Sequence, residues 1–170
     1  MDPFKRCISL ASLFKALERS DFYIRKETKS GVLEYGPLWT GDNEKTLTRT
    51  VTVMKGWLGK MKDGAPEWWN LGSGEGGGFA MNDSITACVN ALRSVLVHLE
   101  TSGRKLIHLT DQELAEAVVS PYGEAVANYF ANLSLDERKR YRDLRGVQGQ
   151  TTRTRRLQQA IRGKVTSFNP

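Results

Sequence analysis

The sequence predicts a mainly α-helical protein: a single-domain helical bundle of about six helices, with room for a short β-hairpin near the N-terminus. Apolar residues recur three or four positions apart in several long stretches, which is the helical period. Two segments also open with a capping-box pattern, and β-branched and aromatic residues cluster around a turn only in residues 21–36. Because 170 residues suffice for one hydrophobic core, we expect residues 1–170 to form one domain.

The first elements are a helix and a hairpin. A helix over about residues 6–19 follows from apolar residues that line one face: Cys7, Leu10, Phe14 and Leu17. In residues 21–36, β-branched and aromatic residues flank the turn sequence Lys29-Ser30-Gly31, which predicts the hairpin. Pro37, Gly41 and Asp42 then mark an exposed connection.

The clearest helix follows this connection. Its apolar residues are spaced by four, three, four and three positions, which predicts a continuous stripe against the core: Leu47, Val51, Met54, Leu58 and Met61.

Residues 63–78 contain six glycines and form the next predicted element, a loop. Such a loop is costly to order, so it is either mobile or held by a partner. The stretch from Asn70 to Gly76 resembles the nucleotide-binding loop of methyltransferases, although that chemistry needs a preceding strand and a surrounding sheet. The alternative is a surface loop without a ligand. Trp68 and Trp69 precede it; they either stack on bases or, as we favour, close an edge of the core.

Five helices are predicted after the loop, and the last of them belongs to the basic region described below. The first begins near Asn82 or Asp83, buries apolar residues from Ile85 to Leu99 and stops at Gly103. Capping boxes at Thr110 to Glu113 and at Ser134 to Glu137 start two more. Between them, Ser120 as N-cap and Pro121 as first residue open the fourth, which directs inward Val126, Tyr129 and Phe130.

The basic C-terminal helical region, residues 134–164, carries the functional prediction. Residues 138–164 hold ten Lys and Arg against one acid, Asp143, whereas the whole chain has a net charge of +6. We expect three arginines on one face of the helix that starts at Ser134, then a turn over residues 146–150, and Thr151 or Thr152 as the cap of a last helix that carries three more. The predicted phosphate-contacting set is Arg138, Arg142, Arg145, Arg153, Arg155 and Arg156. The alternative is a solvated surface whose arginines pair with acids elsewhere.

Other classes of function find little support. No apolar run is long enough to cross a bilayer, and charges interrupt the N-terminal apolar stretch, so we expect a cytoplasmic protein without a membrane partner. Cys7 and Cys88 fall at apolar helical positions and are expected to be buried thiols. Two histidines, His98 and His108, without Cys-x-x-Cys spacing argue against a zinc site, and no nucleophile has a recognisable base. We therefore expect no cofactor, no metal and no catalytic residues.

Several short motifs between residues 45 and 170 resemble a known family. They are the stripe from Leu47 to Met61, Pro66-Glu67-Trp68, the helix from Ile85 to Leu99, Leu144-Arg145-Gly146 and Gly149-Gln150-Thr151. Together they look like the C-terminal helical half of DGQHR-domain proteins, relatives of DndB that occur with bacterial DNA phosphorothioation and other DNA-modification or phage-defence systems. The pentapeptide that names the family and its ParB-like N-terminal part are absent from this chain. The resemblance implies association with DNA, and no activity of the missing half is carried over.

These observations predict a non-enzymatic DNA-associated binding or assembly module that contacts phosphates through the arginines. Two alternatives stay open. One is a protein-interaction domain that docks an acidic partner or the rest of a longer chain, and the other is a methyltransferase-like enzyme.

Overall fold

A computed structural model describes residues 10–19, 21–27 and 29–170 of the chain. The first helix is α1, Leu10–Arg19, and the predicted positions before it, including Cys7, lie outside the described residues. Strands β1, Ile24–Glu27, and β2, Leu33–Tyr35, pair antiparallel, with Lys26 opposite Glu34, as the hairpin pattern predicted. The mainly helical fold class is confirmed by the elements that follow.

Helix α2, Asn43–Gly64, is capped by Asp42, whose carboxylate accepts a hydrogen bond from the Lys45 backbone N–H at 2.9 Å. The predicted apolar stripe is only partly buried. Leu47 is 64% exposed and Val51 is 42% exposed, whereas Val53 and Trp57 are fully buried. The helix carries apolar residues on two neighbouring faces, and the indole N–H of Trp57 fixes one of them against α4 by donating to the Cys88 carbonyl at 3.0 Å.

Helix α3, Pro66–Asn70, precedes the glycine-rich loop, and α4, Asn82–Thr101, follows it. Helix α4 contributes apolar residues from Ile85 to Leu99 to the core and packs against α8 and α1. Its N-cap is Met81, so neither of the two predicted caps makes a side-chain cap. A short 3-10 turn, Leu106–His108, leads to the next helix.

Helices α5, Asp111–Val118, and α6, Glu124–Ala131, are separated by the turn Val119–Gly123. The capping box at Thr110 is present, with the threonine oxygen and the Glu113 carboxylate each accepting the other residue's backbone N–H. The helical backbone is interrupted at Ser120 as predicted, because this residue is extended at φ −116° and ψ 117°. Ser120 caps nothing, however, since α6 begins at Glu124.

Helices α7, Leu135–Arg142, and α8, Gly146–Lys164, form the basic region. The Ser134 capping box is confirmed. The predicted start of the last helix at Thr151 or Thr152 is wrong, because both lie inside α8. Gly149 does not make a turn. Its Cα hydrogen faces the Leu144 backbone so closely that a Cβ would lie 2.5 Å from the Leu144 carbonyl carbon.

The buried apolar side chains form one cluster that extends from Ala16 to Phe168. Arg49 of α2 is also buried, and its guanidinium donates to Asp111 at 2.8 Å, to the Leu106 carbonyl at 3.1 Å and to the Leu109 carbonyl. This arginine joins α2 to the segment that enters α5. Within the described residues, no helix combines the length and the apolar character that a bilayer span requires.

Candidate nucleic-acid interface

The six predicted arginines lie on two helices and the connection between them. Arg138 and Arg142 belong to α7, Arg145 is the N-cap of α8, and the remaining three are within α8: Arg153, Arg155 and Arg156. The spacing predicted that Arg145 would share the helical face of Arg138 and Arg142. This prediction is wrong, because α7 ends at Arg142. The α7–α8 connection nevertheless brings Arg145 into the same groove as Arg138 and Arg142.

Arg153 is the first correction to the predicted site. Its side chain is fully buried, so it cannot reach a phosphate at the surface. Its guanidinium donates to the carbonyls of Leu144, at 2.8 Å, and of Arg142, at 3.1 Å, and to the hydroxyl of Ser84. A further, longer contact of 3.4 Å reaches the Gly78 carbonyl. Arg153 therefore joins the end of α7, the end of the glycine-rich loop and the start of α4.

Within the described residues Arg153 forms no ion pair, which is unusual for a buried charge. Backbone carbonyl dipoles and the face of Tyr141, whose ring centre lies 4.4 Å from the guanidinium carbon, stabilise the cation instead. Burial lowers the pKa of Arg153, and the neighbouring Tyr141 partly offsets that effect. The Tyr141 hydroxyl lies near Ser84 and Arg153 but makes no well-formed hydrogen bond.

A groove of about 690 Å³ lies between α7 and the glycine-rich loop, and we call it the α7 groove. It contains three of the predicted arginines and one lysine that the prediction missed: Arg138, Lys139, Arg142 and Arg145. Three acids line the same groove: Glu75, Asp136 and Asp143. The α7 groove is therefore mixed in charge, with one more cation than acid.

The glycine-rich loop is folded onto α7. The Gly78 N–H donates to the Gly72 carbonyl at 2.7 Å, and the Arg142 guanidinium donates to the Gly74 carbonyl at 3.1 Å. A Cβ at Gly78 would lie 2.8 Å from the Cβ of Arg142, and its φ of +133° suits only glycine. The glycines thus permit close packing. Because a helix, α3, precedes the loop, the strand that a methyltransferase site requires is not there.

Trp68 supports Arg138. The indole is fully buried, so the expectation that it closes the core is confirmed and stacking of bases on it is excluded. The guanidinium carbon of Arg138 lies 5.1 Å from the Trp68 ring centre, and its Nε donates to the Leu133 carbonyl at 3.2 Å. Trp69 is half-buried and meets Phe79 edge to face. Arg138 is held in place while its remaining N–H groups stay available to a ligand.

A second groove, of about 750 Å³, lies at the start of α8, and we call it the α8 groove. Arg145 and Arg155 line it together with polar side chains that include Gln148 and Thr152. Since Arg145 lines both grooves, the two are contiguous through it. Arg156 points to α6 instead. Burial raises the pKa of Tyr129, and the nearby Arg156 partly offsets that rise.

We define the basic face by the cations that line the two grooves: Arg138, Lys139, Arg142, Arg145 and Arg155. None of them forms an ion pair within 4.0 Å in the described part of the chain. Lys139, Arg145 and Arg155 are exposed, and Arg138 and Arg142 are half-buried. The structure therefore retains four of the six predicted arginines in one surface region.

The described residues contain no group of three or more His, Cys, Asp and Glu side chains placed to hold a metal ion. His98 is buried between the rings of Tyr122 and Phe168. Comparisons of the chain with protein-family models, curated proteins and solved structures gave no match.

Proposed function

We propose that this chain is a non-enzymatic, DNA-associated binding or assembly module that contacts backbone phosphates through the basic face. The observation that carries the proposal is that the five cations of this face lack carboxylate partners within ion-pair distance in the described residues. An arginine without an acidic partner keeps its forked donors for phosphate oxygens. The resemblance to DGQHR-domain proteins favours DNA as the polyanion and a bacterial DNA-modification or phage-defence system as the setting.

The geometry also supports contact without sequence readout. Arg138 and Arg142 are anchored by Trp68 and by the Gly74 carbonyl, which limits the conformational entropy that they lose on binding. Their positions are set by a helix that packs against the core and not by a flexible tail. Such contacts to phosphates fix register and orientation but carry no base information.

The test is salt-dependent binding to duplex DNA. We compare the wild type with a triple variant of exposed residues, Lys139→Ala, Arg145→Ala and Arg155→Ala. Since each lost phosphate contact lowers the slope of log K against log salt by about 0.9, we expect the magnitude of the slope to fall by about two to three. Arg153 is left intact because its loss would disturb the fold.

The matched control removes the same charge elsewhere, through Lys29→Ala, Arg104→Ala and Lys105→Ala, all at exposed positions. This control is expected to keep the wild-type slope. An equal fall of the salt slope in the two triple variants would show that DNA is attracted by the net charge of the protein alone. An unchanged slope in the first variant would remove the basic face from the interface.

One observation favours a second candidate, docking of an acidic protein or of the rest of a longer chain. The three acids within the α7 groove suit a partner surface of mixed charge better than a uniform row of phosphates. Capture of a protein that survives nuclease treatment and is lost in the Lys139, Arg145 and Arg155 variant would support this candidate. Such capture would favour protein docking over DNA contact only if the chain did not bind duplex DNA.

A further inference from the structure

An apolar groove lies on a different part of the molecule from the basic face, between α1 and α2. Its volume is about 470 Å³, and we call it the α1–α2 groove. Leu13 and Leu17 of α1 form one wall, Val51 and Leu58 of α2 form the other, and Trp69 also lines it. Leu17, Val51 and Leu58 belong to apolar stripes that the sequence predicts to face the core, but in the structure they line an open groove.

Two exposed apolar side chains of α2 lie at the α1–α2 groove. Among the described residues, nine large apolar side chains are exposed, of which four lie on the hairpin, between positions 24 and 35, and two line the groove. Leu47 and Val51, at the groove itself, are 64% and 42% exposed. Scattered exposed apolar residues are normal on soluble proteins, whereas a contiguous apolar patch marks an interaction surface.

The rim of the α1–α2 groove carries charges of both signs on opposite walls. Glu18 stands on the α1 wall, and Lys55 and Lys62 stand on the α2 wall. Lys55 and Lys62 are seven residues apart, so they project from the same side of α2, about 10 Å apart along its axis. Within the described residues none of the three forms an ion pair.

We infer that the α1–α2 groove is covered by a second copy of this chain in an isologous dimer. A two-fold axis that runs along the groove places the α1 wall of one copy over the α2 wall of the other. Glu18 of each copy then faces the Lys55 and Lys62 side of its partner, while Leu47 and Val51 are buried between the two copies. The rim is thus complementary to itself, a property that an unrelated partner does not require.

The first experiment measures oligomeric state by sedimentation equilibrium across the micromolar range. We expect a concentration-dependent dimer, and Val51→Asp is expected to raise its dissociation constant about 10- to 100-fold because a charge replaces a buried apolar contact. The matched control is Ile107→Asp, since Ile107 is 57% exposed and lies outside the groove. Wild-type protein that stays monomeric throughout this range overturns the inference, as does an equal effect of the control.

Charge exchange tests the two-fold arrangement itself. Glu18→Lys makes the rim wholly positive, and the double variant Lys55→Glu with Lys62→Glu makes it wholly negative, so each alone is expected to weaken its homodimer about tenfold. Mixed together, the two variants are expected to form a heterodimer about as tight as the wild type. Far-UV circular dichroism checks that each is folded.

Failure of the mixture to associate overturns the Glu18-to-lysine pairing. Because no DNA is present in this experiment, its result is independent of the proposed phosphate contacts.

Discussion

Arg153 is expected to act through folding stability and not through ligand contact. We take Arg153→Met as the perturbation because methionine is of similar length but offers no donors. The substitution leaves the carbonyls of Leu144, Arg142 and Gly78 and the Ser84 hydroxyl without this partner. Each buried acceptor left unsatisfied costs about 1 to 3 kcal/mol.

Relief of the desolvated guanidinium charge offsets several kcal/mol of that cost, because burying a charge is itself unfavourable. We therefore expect a net loss of about 2 to 4 kcal/mol in the free energy of unfolding, a large fraction of the roughly 5 to 15 kcal/mol of an ordinary domain. The assay is urea unfolding, in which the midpoint falls while the slope of free energy against urea stays constant.

Two variants make the Arg153 prediction refutable. Arg155→Met, two residues away and exposed, is expected to change stability by no more than about 0.5 kcal/mol. Arg153→Lys keeps the charge but loses the planar fork that reaches several acceptors, so its stability should fall between wild type and Arg153→Met. Arg153→Met as stable as Arg155→Met, with a reduced salt slope for DNA, would refute the reasoning and return Arg153 to the interface.

Two further predictions concern ionisable groups. Burial raises the pKa of the Cys88 thiol to about 12, partly opposed by Arg153, so in a Cys7→Ser background a thiol reagent should label Cys88 only after urea unfolding. Equal labelling rates in native and unfolded protein would contradict this. Capping hydrogen bonds with Thr110 lower the pKa of Glu113 in the folded protein. The cap therefore adds to the free energy of unfolding above the pKa that Glu113 has in the unfolded chain, and this contribution is lost as the pH falls through its pKa in the folded protein. Glu113→Gln should therefore flatten the acid limb of the urea midpoint against pH; an unchanged limb would count against the cap.

The sequence was most informative where the signal is local. Both capping boxes, at Thr110 and at Ser134, are present because a side chain and a backbone N–H three residues apart decide the structure by themselves. The predicted start of α8 was wrong because glycine has more than one local role. Gly149 looks like a turn residue, yet it lies inside α8, where its lack of a side chain leaves room for the Leu144 backbone that leads into the helix.

Only part of the candidate site was predicted correctly. The arginines were chosen by residue type, without asking which of them lie on the buried face of their helix. Arg153 lies four residues before Leu157 and eight before Ile161, so it occupies the buried stripe of α8. Arg49 precedes Val53 and Trp57 by the same intervals and is buried for the same reason. Phase was therefore a signal by which both buried arginines could have been recognised.

Phase alone does not decide every case, and α2 shows why. Both Leu47 with Val51 and Val53 with Trp57 are apolar pairs at helical spacing, so the sequence offers two faces to the core. The choice is made by partners distant in the chain: Trp57 finds the Cys88 carbonyl on α4, and Arg49 finds Asp111 at the start of α5. The face with Val53 and Trp57 is buried because Trp57 removes a large apolar area from water, and because the partners of Trp57 and Arg49 leave no polar group unsatisfied by that burial. The other face, which carries Leu47 and Val51, remains apolar and exposed, and it forms the α2 wall of the α1–α2 groove.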